Sequence, residues 1–168
     1  MKKLFVFLFF SVFMIQGCIR HYDERLDRKT RTTSKNVKSD IRKITIDIMV
    51  SNVRESMKFY KEIAGFETIA TIPDTGTYDF AIIGKGNSEI MLHKSESLAQ
   101  EIPEFAGRTP GGSIILYIEV DDVLKIYEKA AGVVQILKDL HQTSFGTKEF
   151  AMKDKDGYVL IFAEPLSK

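Results

Sequence analysis

The chain has 168 residues, 44% hydrophobic and 28% charged, which allows one or two small domains with an ordinary packed core and excludes a disordered or collagen-like chain. Residues 1–42 carry 10 Lys/Arg against 4 Asp/Glu, while residues 43–168 carry 14 against 19. A net charge of −5 on the larger part excludes nucleic acid as its main partner, and a single cysteine excludes both an internal disulfide framework and a cysteine-cluster metal site.

The chain opens Met1-Lys2-Lys3, followed by an apolar run from Leu4 to Ile15 and then Gln16-Gly17-Cys18. A basic start and a short apolar run match a bacterial export signal, and the run falls short of the roughly 20 residues that span a bilayer. With the only cysteine at the cleavage point, the segment resembles a lipoprotein signal peptide over 1–17. Ile15-Gln16-Gly17-Cys18 stands as its lipobox, with Ile and Gln as departures from the usual pattern. That resemblance implies lipidation at Cys18 and an exported chain anchored to the bacterial cell envelope. Residues 18–42 are polar, basic and without periodicity, and they read as a tether near an anionic lipid surface.

The remainder repeats at an offset of 70. Val50-Ser-Asn-Val53 returns as Val120-Asp-Asp-Val123, and Gly76-Thr77-Tyr78-Asp79-Phe80-Ala81 returns as Gly146-Thr147-Lys148-Glu149-Phe150-Ala151. In the first copy, alternation over 44–50 predicts a strand. Asn52 with Glu55 starts a helix that Gly65 stops, and strands follow at 67–72, 78–83 and 89–93. Residues 94–112 form a polar linker with Pro103, Pro110 and Gly111-Gly112. The second copy predicts a strand at 113–120, a helix at 123–131, and strands at 133–138, 148–152 and 158–163. The last hairpin turns at Asp154–Gly157.

The plan is therefore α+β: two βαβββ modules, 43–93 and 113–165, within a domain 43–168. They form a cupped mixed sheet with helices on the outer face. The pairs Ile44/Ile114, Ile46/Leu116 and Ile48/Ile118 belong under the helices. Thr45/Ile115, Asp47/Tyr117 and Met49/Glu119 belong on the inner face, as do Glu89/Val159, Met91/Ile161 and His93/Ala163. His93 either ends its strand near solvent or faces a ligand, Tyr117 either lines the groove or packs, and Phe145 reads as a groove or loop aromatic.

The stretches Met49-Val50-Ser51-Asn52-Val53 to Phe59-Tyr60 and Gly65-Phe66, Tyr117 to Val123, and Phe145-Gly146 through Glu149-Phe150-Ala151 to Asp154-Lys155-Asp156-Gly157 occur in order. Together they resemble the vicinal oxygen chelate superfamily of glyoxalases, bleomycin-resistance proteins and extradiol dioxygenases. The last stretch is similar to the bleomycin-resistance branch, with Phe145 and Lys155 where that branch has Trp and Pro. Catalytic members hold one divalent metal, and the resemblance carries its ligand positions onto Thr45, Met91, Ile115 and Ile161. Two isoleucines, a methionine and a threonine do not suit zinc, iron, nickel or manganese. The expectation is therefore no metal, no cofactor and no catalytic residue.

Three functions follow from this reading. The first is an envelope-anchored protein that binds a small molecule in its groove through Asp47, Met49, Glu89, Met91, His93, Tyr117, Glu119 and Phe145. Its charge favours a cationic ligand, and the resemblance implies a homodimer. The second is a metal-dependent lyase, isomerase or dioxygenase using one divalent metal on relocated ligands drawn from Asp47, Glu89, His93 and Glu119. The third is an envelope interaction lipoprotein with a degenerate groove.

Overall fold

The computed structural model describes residues 41–166. The signal segment, Cys18 and the tether up to residue 40 lie outside these residues. The fold is the unit that starts at Thr45. Module one comprises β1 (Ile46–Val50), α1 (Val53–Ala64), β2 (Glu67–Ile72), β3 (Phe80–Lys85) and β4 (Ser88–Lys94). A helix, α2 (Ser95–Glu101), and a single 3-10 turn (Pro103–Phe105) follow. Module two repeats the plan with β5 (Ile115–Glu119), α3 (Val123–Ala130), β6 (Ile136–Gln142), β7 (Thr147–Lys153) and β8 (Val159–Pro165). Strand order is β1-β4-β3-β2 in one sheet and β5-β8-β7-β6 in the other. The β1–β4 and β5–β8 pairs are parallel and the rest antiparallel. The expected α+β fold of two βαβββ modules is the observed one.

Local chemistry sets these elements. Asn52 caps α1, its side chain accepting from Glu55 N at 3.2 Å, a cap worth about 1 kcal/mol. Gly65, at φ +71°, ends the helix with its N–H on Lys61 O, a left-handed stop that a side chain would strain. Val53, Phe59, Tyr60 and Ile63 form the buried stripe of α1 and pack on Ile83 and Leu92 of the sheet. In module two Phe150 stacks on Phe162 at 5.5 Å, and Tyr127 of α3 meets Phe150 edge-on at 5.1 Å.

The observed fold departs from the sequence expectations in four places. Ile44 precedes the first strand and is 82% exposed, and Ile46 and Ile114 are also exposed. In module one α1 lies over β3 and β4, leaving the start of the edge strand β1 uncovered, and Ile114, like Ile44, precedes its strand. The linker is not merely polar loop, because Ser95–Glu101 is helical with Leu98 buried. β6 lies at Ile136–Gln142 rather than 133–138, bulged twice against β7. Finally, the offset of 70 holds for β1/β5 and β4/β8 but becomes 69 on β3/β7. Ala81 opposes Leu92 as Phe150 opposes Phe162, so Phe80 matches Glu149 rather than Phe150.

The turn before β8 clasps the modules together. Tyr60 Oη donates to Asp154 Oδ2 at 2.8 Å, while Asp154 Oδ1 accepts from Tyr158 N and Asp156 N. Asp156 accepts from Ser51 N at 2.8 Å and Ser56 Oγ at 2.9 Å, and Tyr158 Oη donates to Met49 O at 3.0 Å. Burial pushes the Asp154 carboxyl above its ordinary range, against the pull of these donors. Gly111 lies against this turn: a Cβ there would stand 2.8 Å from Asp156 O.

Candidate functional site

Each sheet has one face under its helix and a second face away from it, open in module two but covered by α2 over Met49 and His93 in module one, and directly opposed residues form rungs across this second face. In module one, Asp47, Met91, Ile82 and Ala70 make one rung, and Met49, His93, Phe80 and Ile72 the next. In module two the corresponding rungs are Tyr117, Ile161, Ala151 and Lys138, then Glu119, Ala163, Glu149 and His141. Asp47, Met49, Glu89, Met91 and His93 therefore share one face, and Tyr117 and Glu119 share the other. Phe145 stands apart at the tip of the β6–β7 hairpin, 73% exposed.

His93 does not end its strand near solvent, since its side chain is only 8% exposed. Helix α2 accounts for this by folding back over the sheet, anchored by Ser95 Oγ on Val50 O at 3.1 Å and by buried Leu98. It brings Glu101 Oε2 to 3.8 Å from His93 Nε2, while Asp47 Oδ2 sits 3.5 Å from Nδ1. The Phe80 ring meets the imidazole edge-on at 5.4 Å. A neutral imidazole has one N–H, so its tautomer decides whether that hydrogen faces Asp47 or Glu101, and only the Asp47 contact is within hydrogen-bond reach. Sequence reading found Asp47 and His93 but missed Glu101 and Phe80. Glu101 lies in the linker, and Phe80 appeared equivalent to a core residue.

Glu89 lies half-buried opposite Gly84, where a Cβ would meet Ile69 Cδ1 at 2.6 Å and Glu89 Cγ at 3.2 Å. The glycine makes room for both side chains across the open face. Tyr117 and Ile115, 51% and 56% exposed, leave module two with an open apolar strip. Tyr117 thus lines this face instead of packing into the core. Glu119 reaches the edge of a cleft of about 440 Å³ between the end of α1, the β3–β4 turn and the start of α3.

Module two carries a second histidine–carboxylate pair that sequence reading missed. His141 Nε2 lies 3.8 Å from Glu149 Oε1, and its Nδ1 is 2.9 Å from Asp139 O. Thr147 Oγ1 donates to Glu149 Oε2 at 3.2 Å. The turn at Phe145-Gly146 was the available signal, because a hairpin centred on Phe145 brings 141 opposite 149.

The metal implied by the fold does not suit the residues present. Thr45, Met91, Ile115 and Ile161 offer a hydroxyl, a thioether and two hydrocarbons. Among the described residues no group of three or more His, Cys, Asp or Glu side chains is placed to hold an ion. Asp47 and Glu101 lie against different nitrogens of His93, which point away from each other, so one ion cannot join all three.

Comparison with known proteins supports this architecture. No curated protein matches the chain in sequence. Among solved structures, a glyoxalase/bleomycin resistance protein/dioxygenase family enzyme from Burkholderia phytofirmans is 21% identical with a TM-score of 0.62, covering 73% of this chain and 97% of that one. A protein of unknown function from Agrobacterium tumefaciens is 23% identical with a TM-score of 0.64, covering 77% and 98%. TioX from Micromonospora is 16% identical with a TM-score of 0.58, covering 73% and 98%. These likenesses share the fold. The family model described as Glyoxalase/Bleomycin resistance protein/Dioxygenase superfamily matches residues 43–162, and the chain belongs to that superfamily.

Proposed function

We propose that this protein is an envelope-anchored, bleomycin-resistance-like binder that holds a small molecule on the open faces of its sheets without metal catalysis. The observation that carries this reading is the donor set at the superfamily's ligand positions. Thr45, Met91, Ile115 and Ile161 leave a divalent ion no anionic or imidazole ligand. The surrounding surface is suited to binding instead, with an apolar strip of Ile115, Tyr117 and Ile161, and with carboxylates and histidines on neighbouring rungs. The net charge of −5 on residues 43–168 favours a cationic ligand.

Attachment through a lipid on Cys18 is part of the same proposal and rests on the lipobox-like Ile15–Cys18. A homodimer is supported by Ile69, Ile72, Ile115 and Tyr117, which stay exposed on the single chain and which a second copy would cover.

The test is native mass spectrometry of the full chain purified from its host membrane, with elemental analysis alongside. The expected result is a retained organic ligand, a lipid mass lost in Cys18→Ser, and no stoichiometric transition metal. About one metal per chain, lost in His93→Ala or Glu89→Gln, overturns the reading in favour of relocated catalysis.

A further inference from the structure

The two open faces carry their histidines differently. In module one both nitrogens of His93 face carboxylates, and α2 covers the ring. Module two has no such cover from α2. A carbonyl oxygen only accepts, so the 2.9 Å contact with Asp139 O puts the proton of His141 on Nδ1. In the neutral imidazole Nε2 then presents a lone pair. It has no hydrogen-bond partner among the described atoms, and the nearest group across the rung is Glu149 Oε1 at 3.8 Å. In that form two acceptors face each other at a distance too long for a hydrogen bond, and neither brings a hydrogen to the other. Glu149 is itself oriented, because its second oxygen accepts from Thr147 Oγ1. The Thr147 hydroxyl is in turn 2.8 Å from that of Thr143.

Such a pair is completed by one cationic group carrying at least two N–H bonds. A primary ammonium about 2.9 Å from each acceptor satisfies both; Nε2 is buried in the free chain, so the ammonium reaches it only once the Glu149 carboxylate lets go of Thr147 Oγ1 and swings outward. Beyond β7 the face carries Ala151, Ala163 and Ile161 up to Tyr117 on β5, with Glu119 beside Ala163 at the β5 edge. From Glu149 to the β5 edge is two strand spacings, about 9.6 Å. We propose that His141 and Glu149 form the recognition site for the primary ammonium of a ligand whose apolar body lies across β8 toward Tyr117. This rests on the binder reading above and names its ligand class.

The test titrates the full-length chain with 4-phenylbutylammonium and, separately, with the uncharged 4-phenylbutan-1-ol, following ring ¹⁵N shifts of the histidines at pH 7.5. The ammonium is expected to bind about tenfold more tightly than the alcohol and to shift His141 Nε2 while leaving Nδ1 in place. Glu149→Gln, if its melting temperature is unchanged, is expected to erase that preference, and the control Glu104→Gln to preserve it. If His141 Nε2 already bears a proton in the free chain, the pair is a closed ion pair and the proposal falls. Equal binding of ammonium and alcohol, with shifts around Tyr117, overturns the ammonium site and leaves the binder reading standing. Binding of neither probe removes the site.

Discussion

Phe80 and Glu149 occupy equivalent rungs, opposite His93 and Ala163. One module therefore sets an aromatic ring beside its buried histidine where the other sets a carboxylate. A one-residue difference in register decides this, because it exchanges the two faces of a strand. Phe150, which matches Phe80 in the aligned motifs, is fully buried under α3 instead. The asymmetry gives two related sheets two different open faces.

The joint between modules should be brittle. Tyr60→Phe strips Asp154 Oδ2 of its donor in a buried place, at a cost of about 1–3 kcal/mol. Asp154→Ala should cost more, since it orphans the Tyr60 hydroxyl and the amides of Asp156 and Tyr158 together. The double variant should lose less than the sum. Urea denaturation of the three variants measures this, and additive losses would mean the contact does not couple the halves.

Burial raises the Asp154 carboxyl above its ordinary value. The folded state thus holds this proton at pH values where the unfolded chain has released it. The proton's contribution is complete below the ordinary carboxylate range, near pH 4, and is lost as pH rises through the raised value. Asp154→Asn removes that dependence. Melting temperatures at constant ionic strength should show wild type losing ground to Asp154→Asn as pH climbs from 3 to 7, and parallel curves would count against the burial effect.

Gly84→Ala should destabilise module one by about 1–3 kcal/mol, because the new methyl meets Ile69 Cδ1 at 2.6 Å and Ser88 O at 3.1 Å. Ile69→Val removes the first of these contacts and should recover part of the loss. A double variant no more stable than Gly84→Ala would place the strain on the Ser88 carbonyl and Glu89 Cγ instead.

Phe145→Ala should leave stability within about 0.5 kcal/mol of wild type, since the ring is mostly exposed. It should weaken capture of the host ligand seen in native mass spectra. Parallel loss of melting temperature and ligand would make the ring structural.

The module plan was legible because helix and strand periods, the Asn52 and Gly65 signals and the repeated motifs all agreed. Half of each histidine's setting was not legible. Glu101 comes from a linker whose polar composition hid a helix held down by one residue, Leu98. His141 was hidden by bulges in β6, which break the strict alternation a strand reading depends on. The shift to an offset of 69 was also beyond the motif, because matching letters align identities and only backbone pairing assigns faces.

The Tyr60–Asp154 clasp has a bearing on how such a chain can be divided. The donor lies in the first half and the acceptor in the second, so a fragment ending at residue 112 would carry a phenol that has lost its partner on a bared helix flank. Each half should therefore be less stable alone than joined, and cutting the polypeptide between them should yield pieces that regain this contact only by finding each other again.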